Sequence, residues 1–269
     1  MALYSDDRES GTGADVDADI DTDQETSTVA RSTKQEALAT RNRLLDAAEV
    51  LFQAQGVSQT SLQQIAQQAG ATRGAIYWHF KDKADLFNAM MERVTLPLEA
   101  ASQAAGATPG DPLGEIVHRL VAALQLMTSD AQVRRVLEVA THQVEYTQEM
   151  QSVRQRHLSV RQGCITDFEK AFRLAARRQH LRLPIPARVA ALGMHALIVG
   201  VIQNWLLDST AFDLVRTGRQ AFGVYVTGLG FRLDDAADAQ PAAIATSTAA
   251  TTSDPAAEAA AAVIAAVAS

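Results

Sequence analysis

Between Ser58 and Asn88 the chain spells two short helices joined by a glycine-centred turn, and few folds accommodate that arrangement. Thr60 or Ser61 can cap the first helix, with Gln63 or Gln64 three residues on to close a capping box. Leu62, Ile65, Ala66 and Ala69 then share one face. Gly70 ends the helix, because glycine tolerates the left-handed conformation of a tight exit. Thr72 caps a second helix, expected from about Arg73 to Phe80. Asp82 and Asp85 place negative charge at the start of a third. Helix, glycine turn, helix is the helix-turn-helix arrangement, whose second helix enters the DNA major groove.

The second helix has the composition for that task. Ile76 and Phe80 can face a core, while Thr72, Arg73, Tyr77 and His79 carry donors elsewhere. Gly74 and Ala75 have almost no side chain, which permits close approach to a duplex. Arg73 can read a guanine edge with two hydrogen bonds or hold one phosphate. Tyr77 and His79 suit phosphates, which position a protein without specifying sequence. Lys81 and Lys83 flank the next helix start and are expected to hold phosphates too. A buried helical hairpin with an aromatic cluster is the structural alternative. It does not require Arg, Tyr, His and two Lys around Gly-Ala.

Other segments extend the pattern: Thr33-Lys34-Gln35-Glu36-Ala37, Thr40-Arg41, Leu45-Asp46-Ala47-Ala48, Leu51-Phe52 and Gly56-Val57. With the run Thr72-Arg73-Gly74-Ala75-Ile76-Tyr77-Trp78-His79-Phe80-Lys81-Asp82-Lys83, they resemble the N-terminal domain of TetR-family repressors. The branch most resembled is the AcrR type, repressors of multidrug efflux pumps. The likeness is dense from about Thr33 to Phe87 and continues more weakly to about Leu233. It implies an all-α homodimer that binds a palindromic operator and is released by a hydrophobic small molecule. Arg41, Thr60, Ser61 and Trp78 complete the expected DNA-binding set.

Charge agrees once the chain is divided. The whole is −7, yet residues 1–30 carry −8 and residues 234–269 carry −5, which leaves +6 on 31–233. The acid that argues against nucleic acid lies in the tails. The modest excess on the body calls for focused contacts rather than a strong basic field. Both tails read as disordered, since neither can bury enough apolar surface, although Ala256 to Ala268 has helix propensity. No signal peptide and no apolar run long enough to span a bilayer are evident, so a cytosolic protein without a membrane partner is expected.

The remainder reads as helices. They are expected over Arg41–Gln55, Lys83 to about Ala104, Asp111-capped Pro112 to about Thr128, and about Ala131 to Ala140. Three more cover about Gln148 to Arg178, Ala187 to Leu207, and a last helix to about Phe231 opened by a Thr210–Asp213 box. Gly106, Pro109 and Gly110 form a loop. The domains expected are a DNA-binding segment, 31–98 (helix-turn-helix about 61–80), and a ligand-binding and dimerisation segment, 99–233.

Val189, Leu192, Ala196, Val199, Ile202, Gln203 and Leu206 wrap most of the 187–207 helix, and Ala221, Phe222, Tyr225, Val226 and Leu229 stripe the next. Helices apolar on several faces need cover on several faces, and a four-helix dimer interface of 187–207 and 211–231 supplies it. Central helices would enclose the effector between Ile116, Leu120, Ala123, Leu137, Thr141, Val144, Cys164, Phe168, His195 and Val199. That wall is apolar with few polar handles, which suits a hydrophobic or aromatic compound. Each residue alone is equally ordinary core. Cys164, the single cysteine, excludes an intrachain disulfide and reads as a small buried hydrophobe.

Catalysis finds no foothold. There is no nucleophile elbow, phosphate loop or dinucleotide fingerprint. The six histidines never fall three or four residues apart, and Glu138, His142 and Glu145 read as a solvated helix side rather than a metal site. No enzyme activity, cofactor or metal is expected. Three alternatives stand beside the efflux repressor: a regulator of a lipid or catabolic operon, a ligand-independent architectural DNA binder, and a helical small-molecule binder with a vestigial head.

Overall fold

The structure is a computed structural model that describes residues 22–104 and 111–233, with side chains over 33–95 and 111–233. Among those residues it holds nine α-helices, one 3-10 turn and no strand, so the all-α expectation is met. The expected loop at Gly106–Gly110, the tail 234–269 and most of the acidic tail lie outside the described residues.

Packing divides the chain at Asn42, into residues 1–42 and 43–269. Helix α1 (Thr22–Gln55) begins inside the segment 1–30, whose composition is poor in large apolar side chains. Extending a helix already nucleated downstream costs far less than starting one, and composition alone does not register that.

In the second unit, α1 from Arg43 onward buries Leu44, Leu45, Ala48 and Phe52. Helix α2 (Leu62–Gln68) opens on a capping box made by Ser61 and Gln64, which settles the choice left open at that start. Gly70 takes φ +62°, the left-handed exit the turn requires. Helix α3 (Arg73–His79) is capped by Thr72, whose hydroxyl accepts from Ala75 N at 3.1 Å. Ile76 and Phe80 are buried and fix α3 to the core.

Helix α4 (Lys83–Ala104) carries the chain from this head into the body. The expected boundary at 98/99 falls within α4, and 43–98 packs in one compact unit with the residues beyond. Helices α5 (Pro112–Ser129), α6 (Ala131–His142), α7 (Gln151–Arg178), α8 (Ala187–Leu207) and α9 (Leu214–Gly228) complete the body, with a 3-10 turn at Gln148–Met150 leading into α7. The α9 cap is Asp213, accepting from Arg216 N, while Thr210 bonds Asp208 instead. The expected Thr210–Asp213 box is therefore not formed: Asp208, two residues before Thr210, captures its hydroxyl in a local turn.

Helix α8 corrects a second expectation. Its 21 residues are long and apolar enough to cross a membrane by length and composition. It is nevertheless built into the core: Ala190, Ala191, Met194, Ile198, Ile202, Trp205 and Leu206 are buried. A central helix of an all-α core meets the same compositional test as a membrane span.

Candidate functional site

The head presents α3 outward. Trp78 is 72% exposed and Tyr77 51%, high values for large aromatics that a merely structural hairpin would cover. Arg73 and Gly74 are exposed beside them, and Ala75 is half-buried. The Arg73 guanidinium lies 5.9 Å from the Tyr77 ring centre, a cation–π contact that orders both side chains before any ligand arrives. His79 meets Trp78 edge-on, ring centres 4.5 Å apart. Ser61, Thr72 and Lys81 are exposed on the adjoining surface. Arg41 falls in the N-terminal unit and is described apart from this face.

Two expected DNA-binding residues turn inward instead. Thr60 is 1% exposed; its hydroxyl donates to Gly56 O (2.8 Å) and accepts from Gln55 Nε2 (3.0 Å). Lys83 is 7% exposed; Nζ donates to Thr60 O (3.1 Å) and Ser58 O (3.4 Å) and pairs with Glu149 at 3.2 Å. A buried ammonium needs its three hydrogens answered, and here two carbonyls and a carboxylate answer them. Lys83 is thus a strut beneath the helix-turn-helix rather than a surface cation. With Arg73, Tyr77, Glu149 and the 58–63 turn it lines a polar concavity of about 380 Å³.

Glu149 belongs to the body, so that strut is also a junction. Further links join the same two regions. Val57 N donates to Gln143 O (3.1 Å), and Gln53 Nε2 donates to Glu138 (2.9 Å). Gly56, at φ +83°, brings its backbone against Gln143, where a Cβ would lie 3.5 Å from the amide oxygen. Arg156 of α7 pairs with Glu92 of α4 at 2.7 Å.

The strongest link is Glu49, a carboxylate buried in α1 that sequence reasoning missed. Arg93 of α4 pairs with it and with Asp46 (2.7 Å). Gln132 of α6 donates to both Glu49 oxygens at 3.1 and 3.3 Å, and Arg135 stands 3.7 Å away. Burial pushes the Glu49 carboxyl above its ordinary value, and Arg93 pulls against that shift. Its spacing was a usable signal: Glu49 sits four residues after Leu45 and three before Phe52, on the core face.

Of the expected effector residues, Leu120, Ala123, Leu137, Cys164 and Phe168 belong to the hydrophobic core, with Ile116, Val144 and Val199 packed against it. Leu120, Ala123, Leu137, Cys164, Phe168 and His195 are buried, and Ile116, Thr141, Val144 and Val199 are half-buried. Burial and then the Asp167 charge raise the Cys164 thiol, which keeps it from the reactive thiolate form. His195 Nε2 and His118 Nε2 are buried without a hydrogen-bond partner among the described residues. His157 is buried against Tyr146 (2.8 Å), and burial, then Arg156, lowers it to about 4.

Helix α8 presents a second face to solvent through Val189, Leu192 and Leu207, joined by Val224 of α9. The expected interface stripe is thereby redrawn. Ile202, Leu206, Phe222, Val226 and Leu229 are consumed inside the chain.

Comparison with known proteins now decides the family. Residues 44–90 match the bacterial regulatory proteins of the tetR family, and residues 111–230 match the C-terminal region of MAATS-type transcriptional repressors. The chain belongs to the TetR family. It is similar to the transcriptional regulator AcrR of Shigella flexneri, 38% identical over 192 residues that cover 71% of this chain and 89% of that one. Among solved structures it is similar to NalD, the secondary repressor of the MexAB-OprM multidrug efflux pump in Pseudomonas aeruginosa. That likeness has a TM-score of 0.65 at 36% identity, over 72% of this chain and 98% of NalD. SmeT of Stenotrophomonas maltophilia, solved with triclosan, matches with a TM-score of 0.58 at 27% identity, over 79% of this chain and all of that one (100%). As a TetR-family member the chain is a helix-turn-helix transcriptional repressor.

Proposed function

We propose that the chain is a homodimeric, cytoplasmic repressor of a multidrug efflux operon, released from a palindromic operator by hydrophobic small molecules. The observation that carries the reading is the outward face of α3, where Arg73, Tyr77 and Trp78 stand exposed on a helix locked by Ile76 and Phe80. Arg73 reads a base edge, Tyr77, His79 and Lys81 hold phosphates, and Gly74 and Ala75 admit the groove wall. Ser61 and Thr72 present the capped helix starts to the backbone. Segment 31–98 acts as the DNA-binding part and 99–233 as the effector and dimer part.

The similarity to AcrR and NalD supports the efflux target, and the SmeT–triclosan complex supports an apolar effector. The exposed stripe of Val189, Leu192, Leu207 and Val224 supports a dimer through α8 and α9. A dimer sets two α3 helices about one DNA turn apart. Effector acts only through unequal affinity for the DNA-competent and released arrangements. The function needs no catalytic step and no cofactor.

A mobility shift with the upstream intergenic DNA, with and without hydrophobic antimicrobials, tests this. The expected result is a specific complex at moderate salt that at least one compound releases. Arg73→Ala should flatten the preference for operator over random DNA, and Tyr77→Ala should weaken both together. Failure to form any specific complex would overturn the reading.

A further inference from the structure

The polar concavity beside α3 has one acid in its wall. Ser61, Arg73, Tyr77 and Lys83 line it from the head, and Glu149 lines it from the 3-10 turn that leads into α7. The two members of the Lys83–Glu149 pair, 3.2 Å apart, are placed unequally: the lysine side chain is 8% exposed and the glutamate side chain 53%. Lys83 already donates to Thr60 O and Ser58 O. An ion pair with one half in water is a weak clasp. The carboxylate therefore offsets the buried ammonium and also shows its charge to the open space that Arg73 and Tyr77 share.

Arg73 has two ways to hold DNA. Its fork can grip a guanine edge, which is neutral, or a backbone phosphate, which is an anion. Only the first carries sequence information. A phosphate drawn to Arg73 and Tyr77 enters the concavity, whose volume of about 380 Å³ keeps any anion inside it within roughly a Debye length, about 8–10 Å, of Glu149. Like charges at that range repel, and a neutral base edge escapes the repulsion.

We propose, building on the DNA-binding reading above, that Glu149 is a specificity-determining residue. Its carboxylate disfavours the phosphate-gripping mode of Arg73 and leaves the base-reading mode ahead. Without it, Arg73 and Lys83 would give the concavity two unopposed positive charges, a trap for any phosphate. Random DNA offers Arg73 many phosphates and seldom the right base, so random DNA bears the penalty. Glu149 lies outside the helix-turn-helix, so the body sets part of the selectivity of the head.

The test measures the affinity of the full chain for the upstream intergenic DNA and for a random duplex of equal length, across a salt series. Glu149→Gln removes the charge and keeps an oxygen for Lys83 to donate to. It is expected to tighten binding to random DNA about threefold to tenfold at low salt, the worth of one charge a few ångströms away in water, and to change operator affinity less than about twofold. The operator-to-random ratio then falls, and the fall shrinks as salt rises. Glu149→Asp, which keeps the charge at the expense of the 3.2 Å contact, should hold the ratio near the wild-type value. An unchanged ratio in Glu149→Gln overturns the proposal. So does an equal loss on both DNAs with a lowered melting temperature, the mark of a mere clasp for Lys83. A fall indifferent to salt, or an aspartate variant that behaves like the glutamine one, does the same. In all these cases the wild-type operator complex stands, and the repressor reading with it. A wild-type chain that cannot tell the two DNAs apart overturns both.

Discussion

At the junction of head and body, buried charge is answered; in the body's interior, a buried imidazole is not. Glu49 takes hydrogen bonds from Gln132 and ion pairs from Arg93, and Lys83 spends its ammonium on Thr60 O, Ser58 O and Glu149. His195 has no such company for Nε2. The junction keeps small loose ends, Arg93 Nε and Asn88 Oδ1, but neither leaves a charge uncompensated. Saturated polar groups hold two parts of a molecule in one register, because loosening either part strands a charge. An unsaturated one makes the interior cheaper to change when something arrives to satisfy it. The two regions therefore differ in how firmly their buried polar groups are held.

Substitutions can break this contrast. The largest effect is expected from Glu49→Ala, which leaves Gln132 without its acceptor and Arg93 with Asp46 alone, and should cost about 3 kcal/mol in denaturant unfolding. Glu49→Gln should cost clearly less, because burial already disfavours its carboxylate. Equal losses would mean that the site is packing rather than charge.

The pH dependence comes next. His157 is depressed from 6.5 to about 4, so the folded chain stays neutral there while the unfolded chain takes a proton. Its contribution is whole above pH 6.5 and is lost as pH falls toward 4, about 3 kcal/mol in all at roughly 1.4 kcal/mol per unit. Thermal melts of His157→Gln should lose that acid slope; an unchanged slope would assign it elsewhere.

Lys83→Met should cost about 1–3 kcal/mol by stranding its acceptors, and should weaken operator binding through loss of register. Lys81→Ala, two residues away on the surface, should leave the melt alone and reduce the salt slope of DNA binding by about one. If Lys83→Met behaved like Lys81→Ala, the strut would be wrong. The smallest effect belongs to the interior. His195→Leu should shift stability by under about 1 kcal/mol, or raise it, since it removes an unpaired polar atom. A loss as large as that of Glu49→Ala would erase the comparison.

Much of this architecture was legible in the chain. Ser61, Thr72 and Asp111 mark helix starts because capping is local: donor and acceptor lie within three residues. The recognition helix was legible for the same reason. Lys83 was misread as a phosphate contact because its partner, Glu149, is remote in sequence and helical spacing is silent about it. The choice between Thr60 and Ser61 as cap stayed open in the sequence, and the structure gives it to Ser61 while the Thr60 hydroxyl serves Gly56. Ile202, Leu206, Phe222, Val226 and Leu229 were read as interface because an apolar pattern does not say whether a residue is covered by its own chain or by another copy. Glu49 was overlooked although a charge on a core face is a visible anomaly.

One junction contact differs in kind from the rest. The bond from Val57 N to Gln143 O involves no side chain. Mutational drift can exchange Glu49, Arg93, Lys83 and Glu149, yet among encoded residues only proline at position 57 deletes that donor. The link is thus insulated from side-chain substitution at either end, proline at position 57 apart. The side chains on both sides of the seam can be exchanged while this one stitch holds.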